Sequence, residues 1–396
     1  MSTYVSPRAL APQEGDTIDT KDRGMCGRRV LLIGTFDPTM PRARQWQRLL
    51  DRLGCEVEVR NLPSWDVDRA TKTKQSAFSM LPPVLRALWT LSRYLLTCER
   101  PDLVVFLYPG HLDACILGPI ARLRRIPAVL DIFVSLYDTV VVDRRLQSER
   151  SLHALATRAV DIVACWSVPL VVVDTPEHTE FFAKYTHRSP EHFPVLWIGA
   201  DESMFMPSPD PGDDADILWY LTYIPLHGFE TVAHAAALLS DDGRRFRLVG
   251  DGQERARAEQ LASELHLDNV DFVDQIPEAE LPGEIARASI CLGVFGTSSK
   301  AQRVVPNKAF QCAAVGRAVI TASSPAVHTA FGDAFVTVPA GDAHALASAI
   351  RGLRGDARRQ AANRARAAFV DRFSDDALAR QLARILSGVM RRKTAA

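Results

Sequence analysis

Two series of short apolar runs, each alternating with helix-patterned segments and separated by one stretch that has neither, restrict this chain to a pair of α/β units. The first series holds "RRVLLIGTF" (28–36), "CEVEVRNL" (55–62), "PDLVVFLYPG" (101–110), "PAVLDIFVS" (127–135), "VPLVVVDTPE" (168–177) and "HFPVLWIGAD" (192–201), with segments such as "RARQWQRLLDRLG" between them. Runs of this length read as strands, and strands alternating with amphipathic helices build βαβ units around a parallel sheet. The stretch "GADESMFMPSPDPGDDAD" (199–216) is rich in Asp and Pro and reads as a linker. The second series follows as "DILWYLTYI" (216–224), "RFRLVGDG" (245–252), "VDFVDQI" (270–276), "ASICLGVF" (288–295), "RAVITAS" (317–323) and "AFVTVPA" (334–340). The expected fold is two doubly wound Rossmann-like domains facing a central cleft, since open α/β sheets bind ligands beyond the carboxyl ends of their strands. Expected boundaries are a disordered arm over 1–27, a first domain over 28–200, a linker over 201–215, a second domain over 216–374 and a terminal helix and tail over 375–396. The amphipathic segment "DDALARQLARILSGVMRRK" (375–393) is long enough to pack back across the halves.

Charge narrows the partners. Lys plus Arg number 47 and Asp plus Glu number 47, so nothing draws the whole chain to nucleic acid or anionic lipid, and any anion site must be local. The seven cysteines are odd in number and form no CxxC pair, a pattern of reduced thiols in a cytoplasm rather than of disulfides or a zinc site. Residues 1–27 lack the apolar core of a signal peptide, and no run approaches the roughly 18 apolar residues of a membrane span. The expected location is cytoplasmic, either free or at the cytoplasmic face of a membrane.

One local concentration of charge stands out. In "FGTSSKAQRVVPNKAFQCAAVGRAVIT" (295–321), Lys300, Arg303 and Lys308 lie between two apolar runs with no carboxylate among them. A helix is expected there with Asn307 as N-cap and Gly316 as its stop, so that its N-terminus points into the cleft. Free N–H groups and partial positive charge at such an end favour phosphate, and the three cations would add charge-assisted hydrogen bonds. The other reading is three solvated surface cations beside a turn.

"VPNKAFQCAAVGRAVITASSPAV" resembles the donor-binding segment of retaining GT-B glycosyltransferases of glycosyltransferase family 4, which runs roughly P-x-K-x-x-E-x-x-A-x-G-x-P-V-I. "ILWYLTYIPLHGFETVAHAAALL", "RLVGDGQERARAEQLA" and "VLWIGADESMFMP" are similar to three further segments of that family, and "GTFDPTMPRARQWQRLLDRLG" and "DIFVSLYDTVVVDRR" to N-domain signatures of a subset of it. The resemblance runs from Arg28 to about Ser374. It implies transfer of a sugar from a nucleotide diphosphate sugar to an acceptor hydroxyl with retained configuration, without cofactor or metal. It also implies a donor site of Gly250, Gly252, Lys300, Val305, Asn307, Gln311, Thr222 and His227, with Arg303 and Lys308 stabilising charge on the leaving phosphate.

The departures from the family fall in the same site. Two glutamates usual in the family correspond to Arg303 and Gln311, its Arg and Lys on the first strand and loop of the second domain fall on Thr222 and His227, and its N-domain histidine falls near Phe133. In the first domain, His111 follows a strand and is either structural or catalytic, while Asp138 is either a base or part of a turn. Asp131, Ser135 and Tyr137 stand as acceptor contacts or as Asx-type turn residues, and Arg42 as an acceptor contact or a surface charge. The segment 79–101, with Leu85, Leu88, Trp89, Leu91, Leu95, Leu96, Arg86 and Arg93, either packs on its own sheet or rests on an anionic membrane where a lipid-linked acceptor would be met. Small-molecule and glycan acceptors are equally open. Alternatives to the transferase are a non-catalytic nucleotide-sugar or carbohydrate-binding protein, and another GT-B enzyme such as an epimerase.

Overall fold

In the computed structural model, which describes residues 22–62, 77–143 and 148–391, the two series form two parallel sheets. Most of the expected arm, residues 1–21, lies outside the described residues. The first sheet comprises β1 (Arg29–Gly34), β2 (Glu56–Asn61), β3 (Leu103–Phe106), β4 (Ala128–Asp131) and β5 (Leu170–Val172), in the order β2-β1-β3-β4-β5. Its chain path runs one way from β1 to β2 and the other way from β2 through β5. Right-handed crossovers therefore send the helix Pro41–Arg52 to one face and the helices Ala77–Thr97, His111–Leu123 and Leu152–Ser167 to the other. Alternation along β1 follows suit: Val30 and Leu32 pack with Trp46 and Leu49, whereas Leu31 and Ile33 pack with Leu91, Leu95 and Leu117.

The second sheet comprises β6 (Ile217–Leu221), β7 (Phe246–Gly250), β8 (Val270–Val273), β9 (Ile290–Leu292), β10 (Ala318–Ala322) and β11 (Val336–Val338), in the order β11-β10-β9-β6-β7-β8. The strand order reverses between β6 and β9, and in the first sheet between β1 and β3, which puts a ligand crevice at the carboxyl ends of those strands. Glycine makes the floor of that crevice. A Cβ on Gly250, whose φ is +146°, would sit 1.8 Å from the Leu221 carbonyl oxygen, and one on Gly252 would sit 1.7 Å from that of Thr222. No other residue lets the ends of β6 and β7 approach so closely.

One expected strand is absent. Residues 192–201 contribute a single bridge, Val173 to Val195, and no strand. Pro194 has no N–H to offer a ladder, and the carbonyls of Leu196 and Trp197 accept from Arg42 and Gln45 instead. The chain then crosses to the second sheet along the Asp- and Pro-rich stretch, which is held there by Arg358 pairing with Asp210 and Asp213 at 2.6 Å. The terminal helix Asp375–Arg391 returns to the first sheet, burying Leu378, Leu382 and Leu386 at a four-residue spacing in the core that holds Trp46 and Leu49. Arg48, on the helix Pro41–Arg52, clamps this return through Asp375 and Asp201, each at 3.2 Å.

Candidate functional site

A cleft of about 450 Å³ separates the two sheets, a volume suited to a small organic ligand. Its second-domain wall includes Thr222, His227, Gly250, Lys300, Lys308 and Gln311, together with Val305 and Asn307; its first-domain wall includes Pro41, Phe133, Val134 and Asp174. Gly252 is not a lining residue and acts on the cleft through the close approach of its backbone to Thr222. Among the described residues, no three His, Cys, Asp or Glu side chains converge as metal ligands.

The helix Asn307–Val315 starts at this cleft. Pro306 is its cap, so Asn307 is the first helical residue rather than the cap expected from the sequence, and no side chain caps the N-terminus. The difference matters because an uncapped end leaves N–H groups for a ligand. Gly316 ends the helix in the left-handed conformation at φ +84°. On its first turn Lys308 is buried with no hydrogen-bond partner for its ammonium, which lies 5.6 Å from the ring centre of Trp219 and 5.8 Å from that of Tyr220. Burial pushes its pKa down to about 7. His227 stands beside it, also buried and with Nδ1 unpartnered; burial first and then the Lys308 charge hold its imidazole well below the usual value. One turn further along the helix, Gln311 accepts a hydrogen bond from the Tyr220 hydroxyl at 2.7 Å, which fixes its amide against the cleft. A buried lysine without a partner and an uncapped helix end, with the Nδ1 of His227 unpartnered beside them, together make a site for a negatively charged ligand.

The other two cations behave differently. Arg303 donates to both carboxylate oxygens of Asp138 at 2.9 Å, with its guanidinium carbon 4.4 Å from the ring centre of Phe181. Lys300 donates to the Thr139 hydroxyl at 3.0 Å and lies 3.7 Å from Asp143. Asp138, Thr139 and Asp143 belong to one turn of π-helix, Asp138–Asp143, that follows β4 in the first domain. The residues expected as electrophile and base are thus each other's partners across the cleft, and neither Arg303 nor Asp138 lines it. Further bonds cross beside them: the Thr175 hydroxyl donates to the Arg303 carbonyl at 2.7 Å, and Arg44 pairs with Glu278 at 2.6 Å. The loop before the donor-side helix is consequently latched to the first domain. Arg303→Ala and Asp138→Asn should each lower the thermal stability of the empty protein, and the double variant should lose little beyond either single one, with a coupling energy of about 1 kcal/mol. Purely additive losses in thermal unfolding would show that the pair is not a latch.

The first-domain candidates lie behind the cleft wall. Arg42 and Asp131 form a buried ion pair at 2.8 Å, and the remaining Arg42 donors reach the Leu196 and Trp197 carbonyls, so both residues hold the helix Pro41–Arg52 to the end of β4 and neither is available to an acceptor. Ser135 donates at 2.6 Å to Asp161, whose carboxylate also accepts from the backbone N–H of Leu136 and of Tyr137 at 3.0 and 3.1 Å. His111 is fully buried, 3.2 Å from the Val134 carbonyl and 3.5 Å from Asp161, and burial lowers its pKa against the opposing pull of that carboxylate. This is the structural reading of His111. Asp161 was not singled out from the sequence: it is a carboxylate in the apolar helix pattern "LHALATRAVDIVACWS" (152–167), and that mismatch was the available signal. Asp113 carried the same signal; it accepts from the Thr35 N–H at 2.8 Å and hydroxyl at 3.2 Å, and burial raises its carboxyl to about 7. Asp174, a cleft residue also missed, is paired with His178.

Comparison with known proteins agrees with this architecture. Residues 216–356, the second sheet and its helices, match the family model described as Glycosyl transferases group 1. No curated protein sequence matches the chain. Among solved structures it is similar to sucrose-phosphate synthase from Thermosynechococcus elongatus, at 19% identity and a TM-score of 0.72 over 92% of this chain and 100% of that one. Similar too are Anabaena HepE in complex with UDP and glucose, at 17% identity and 0.65 over 91% and 100%, and a glycosyltransferase from Rickettsia africae ESF-5, at 12% identity and 0.61 over 92% and 99%. Identities this low show the fold, which is GT-B. The family match and the fold together support a glycosyltransferase.

Proposed function

We propose that this chain moves a hexose from a nucleoside diphosphate sugar to an acceptor hydroxyl with retention of anomeric configuration. The observation that carries the reading is Lys308, a buried ammonium without a partner on the first turn of an uncapped helix in the cleft. As the bond from the anomeric carbon to the diphosphate breaks, its electron pair moves onto the departing phosphate oxygen. Lys308 and the helix N–H groups meet that charge as it grows and stabilise the transition state more than the bound donor. The acceptor oxygen bonds the anomeric carbon from the face the phosphate leaves, and its proton passes to the departing phosphate oxygen. Such a transfer needs no separate base, in keeping with the engagement of Asp138 by Arg303. Gln311, oriented by Tyr220, supports a hydroxyl of the ribose or the sugar. The acceptor is a small molecule, a glycan or a lipid-linked alcohol.

The structural neighbour HepE was solved with UDP-glucose as well as with UDP and glucose, so uridine donors are the first to try. In a thermal-shift series, a nucleoside diphosphate should stabilise the protein where the matching nucleoside does not, and the shift should shrink as salt rises. Donor turnover with a panel of acceptors, followed by proton NMR of the new glycosidic bond, should give the same anomer as the donor. An inverted product would refute retention. The rival reading, a non-catalytic nucleotide-sugar binder, has the departures from the family on its side: Arg303 and Gln311 stand where the resemblance places two carboxylates, and Phe133 near the place of its N-domain histidine. Stabilisation by donor without hydrolysis or transfer to any acceptor would decide for that rival.

A further inference from the structure

The three helices on one face of the first sheet have an outer surface that their own packing does not explain. The helix Ala77–Thr97 buries Leu88, Leu91 and Leu95 but exposes Leu85, Trp89 and Leu96, with Trp89 61% accessible. Next to it, the helix His111–Leu123 exposes Ile116 and, at its end, Leu123, 77% accessible. The third, Leu152–Ser167, exposes Leu152, Leu155, Val163 and Trp166, the last 58% accessible. Single exposed apolar residues need no account, but a run of them across three adjacent helices marks a surface for a partner.

Charge on the same helices identifies the partner. The carboxylates within them are Asp113 and Asp161, both buried and engaged with Thr35 and with the Ser135 loop. Their exposed ionisable side chains are Arg86, Arg93, Arg122 and Arg158, with His153, and Arg125 follows directly. Arg93 lies 4.9 Å over the Trp89 ring, and Arg188 lies 5.2 Å over that of Trp166. In a chain whose acids and bases are equal in number, the three helices themselves expose arginines and no acid, while the exposed carboxylates Glu99 and Glu149 stand just beyond the ends of two of them. Among the described residues, no helix is long and apolar enough to cross a membrane. We infer that this three-helix face docks the protein onto an anionic lipid surface, with Trp89, Leu123, Leu155 and Trp166 entering the interface and the arginines meeting lipid phosphates. Tryptophan and arginine together suit the boundary between headgroups and acyl chains. The sequence suggested such contact for residues 79–101 alone; the tertiary structure supplies the other two helices and sets the acids inside. This inference does not depend on the sugar-transfer reading, because it concerns the outer surface of these three helices rather than the cleft.

The test is sedimentation of the full chain with vesicles of phosphatidylcholine alone and of phosphatidylcholine with about one-third phosphatidylglycerol. Binding to the anionic vesicles is expected at low salt, at least about tenfold stronger than to the neutral ones and weakened as salt screens the arginines. The double variant Leu123→Glu with Leu155→Glu should lose at least about tenfold in vesicle affinity, while Val370→Glu, an exposed apolar position of the second domain, should lose little. Thermal unfolding establishes that each variant is folded. Should the double variant not fold, tryptophan fluorescence of the unmodified chain takes its place: quenching by a lipid-borne quencher is expected, and its absence overturns the proposal. No sedimentation at low salt overturns it, as does sedimentation unaffected by the double substitution. Self-association of the unmodified chain, lost in that variant while vesicles bind neither, would assign the face to a second copy instead.

Discussion

Lys308→Met should make the empty protein more stable and at the same time lower its affinity for a nucleoside diphosphate by roughly 10- to 150-fold, the worth of one charge-assisted contact of about 1.5–3 kcal/mol. Two opposite signs from one substitution are the mark of a binding cation held at the expense of the fold. In the unfolded chain the ammonium keeps its proton to about pH 10.5; in the folded protein it yields it near 7. The unfolded state thus binds more protons between those values, and the burial penalty, complete below pH 7, fades as pH rises toward 10.5. The gain from methionine should be on the order of 1–4 kcal/mol at pH 7 and below, and should shrink toward pH 10. Binding has the reverse dependence. A diphosphate beside Lys308 raises its pKa, so above pH 7 the complex must take up a proton and affinity should fall. Titration calorimetry between about pH 7.5 and 9.5, where a terminal phosphate with its second pKa near 6 is already ionised, isolates the lysine. A variant that binds diphosphate as well as the parent would remove Lys308 from the site. Unchanged stability would mean that the ammonium is not buried in solution.

Asp161→Ala should be the most destabilising single substitution behind the wall of the cleft. Its carboxylate accepts from the Ser135 hydroxyl and from two successive backbone N–H groups, Leu136 and Tyr137, in a buried setting. Removing it leaves three donors without partners and His111 without the neighbouring charge, at a cost of about 3–5 kcal/mol. The loss should appear as a lowered urea midpoint for the first domain. Because the π-helical turn that carries Asp138 and Asp143 begins where this loop ends, the latch to Arg303 and Lys300 should loosen as well. A limited digest should then cut the segment 132–143 while the second domain stays intact. A midpoint within about 1 kcal/mol of the parent would show that the loop holds its shape without Asp161.

Much of the architecture was legible because periodicity is a local property. Apolar runs such as 29–34 and 103–106 became strands, and the break at 201–215 became the crossing between sheets. Residues 192–201 were misread for a reason that local pattern does not contain: their carbonyls belong to Arg42 and Gln45, some 150 positions earlier, so the ladder stops after one bridge. The cleft lining was partly legible too. Thr222, His227, Gly250, Lys300, Val305, Asn307, Lys308 and Gln311 all reach it, each lying at a strand end or on the helix that follows one. Arg42, Asp131, Ser135 and His111 were legible as polar residues near strand ends, but their burial and mutual pairing were not.

By itself the sequence determined two Rossmann-like halves, a crevice at their strand ends and a helix N-terminus carrying Lys308, since all of these follow from the spacing of apolar, glycine and proline residues along short stretches. Only the tertiary structure decided which of the three cations is open to a ligand. The segment 295–321 contains no carboxylate, yet Asp138 stands 165 positions from Arg303 and within 2.9 Å of it, and Asp143 lies 3.7 Å from Lys300. Electrostatic energy depends on distance in space and on exclusion of water, neither of which is written in sequence separation, and so two cations of one short segment close the domains together while the ammonium of the third stands in the cleft wall without a hydrogen-bond partner.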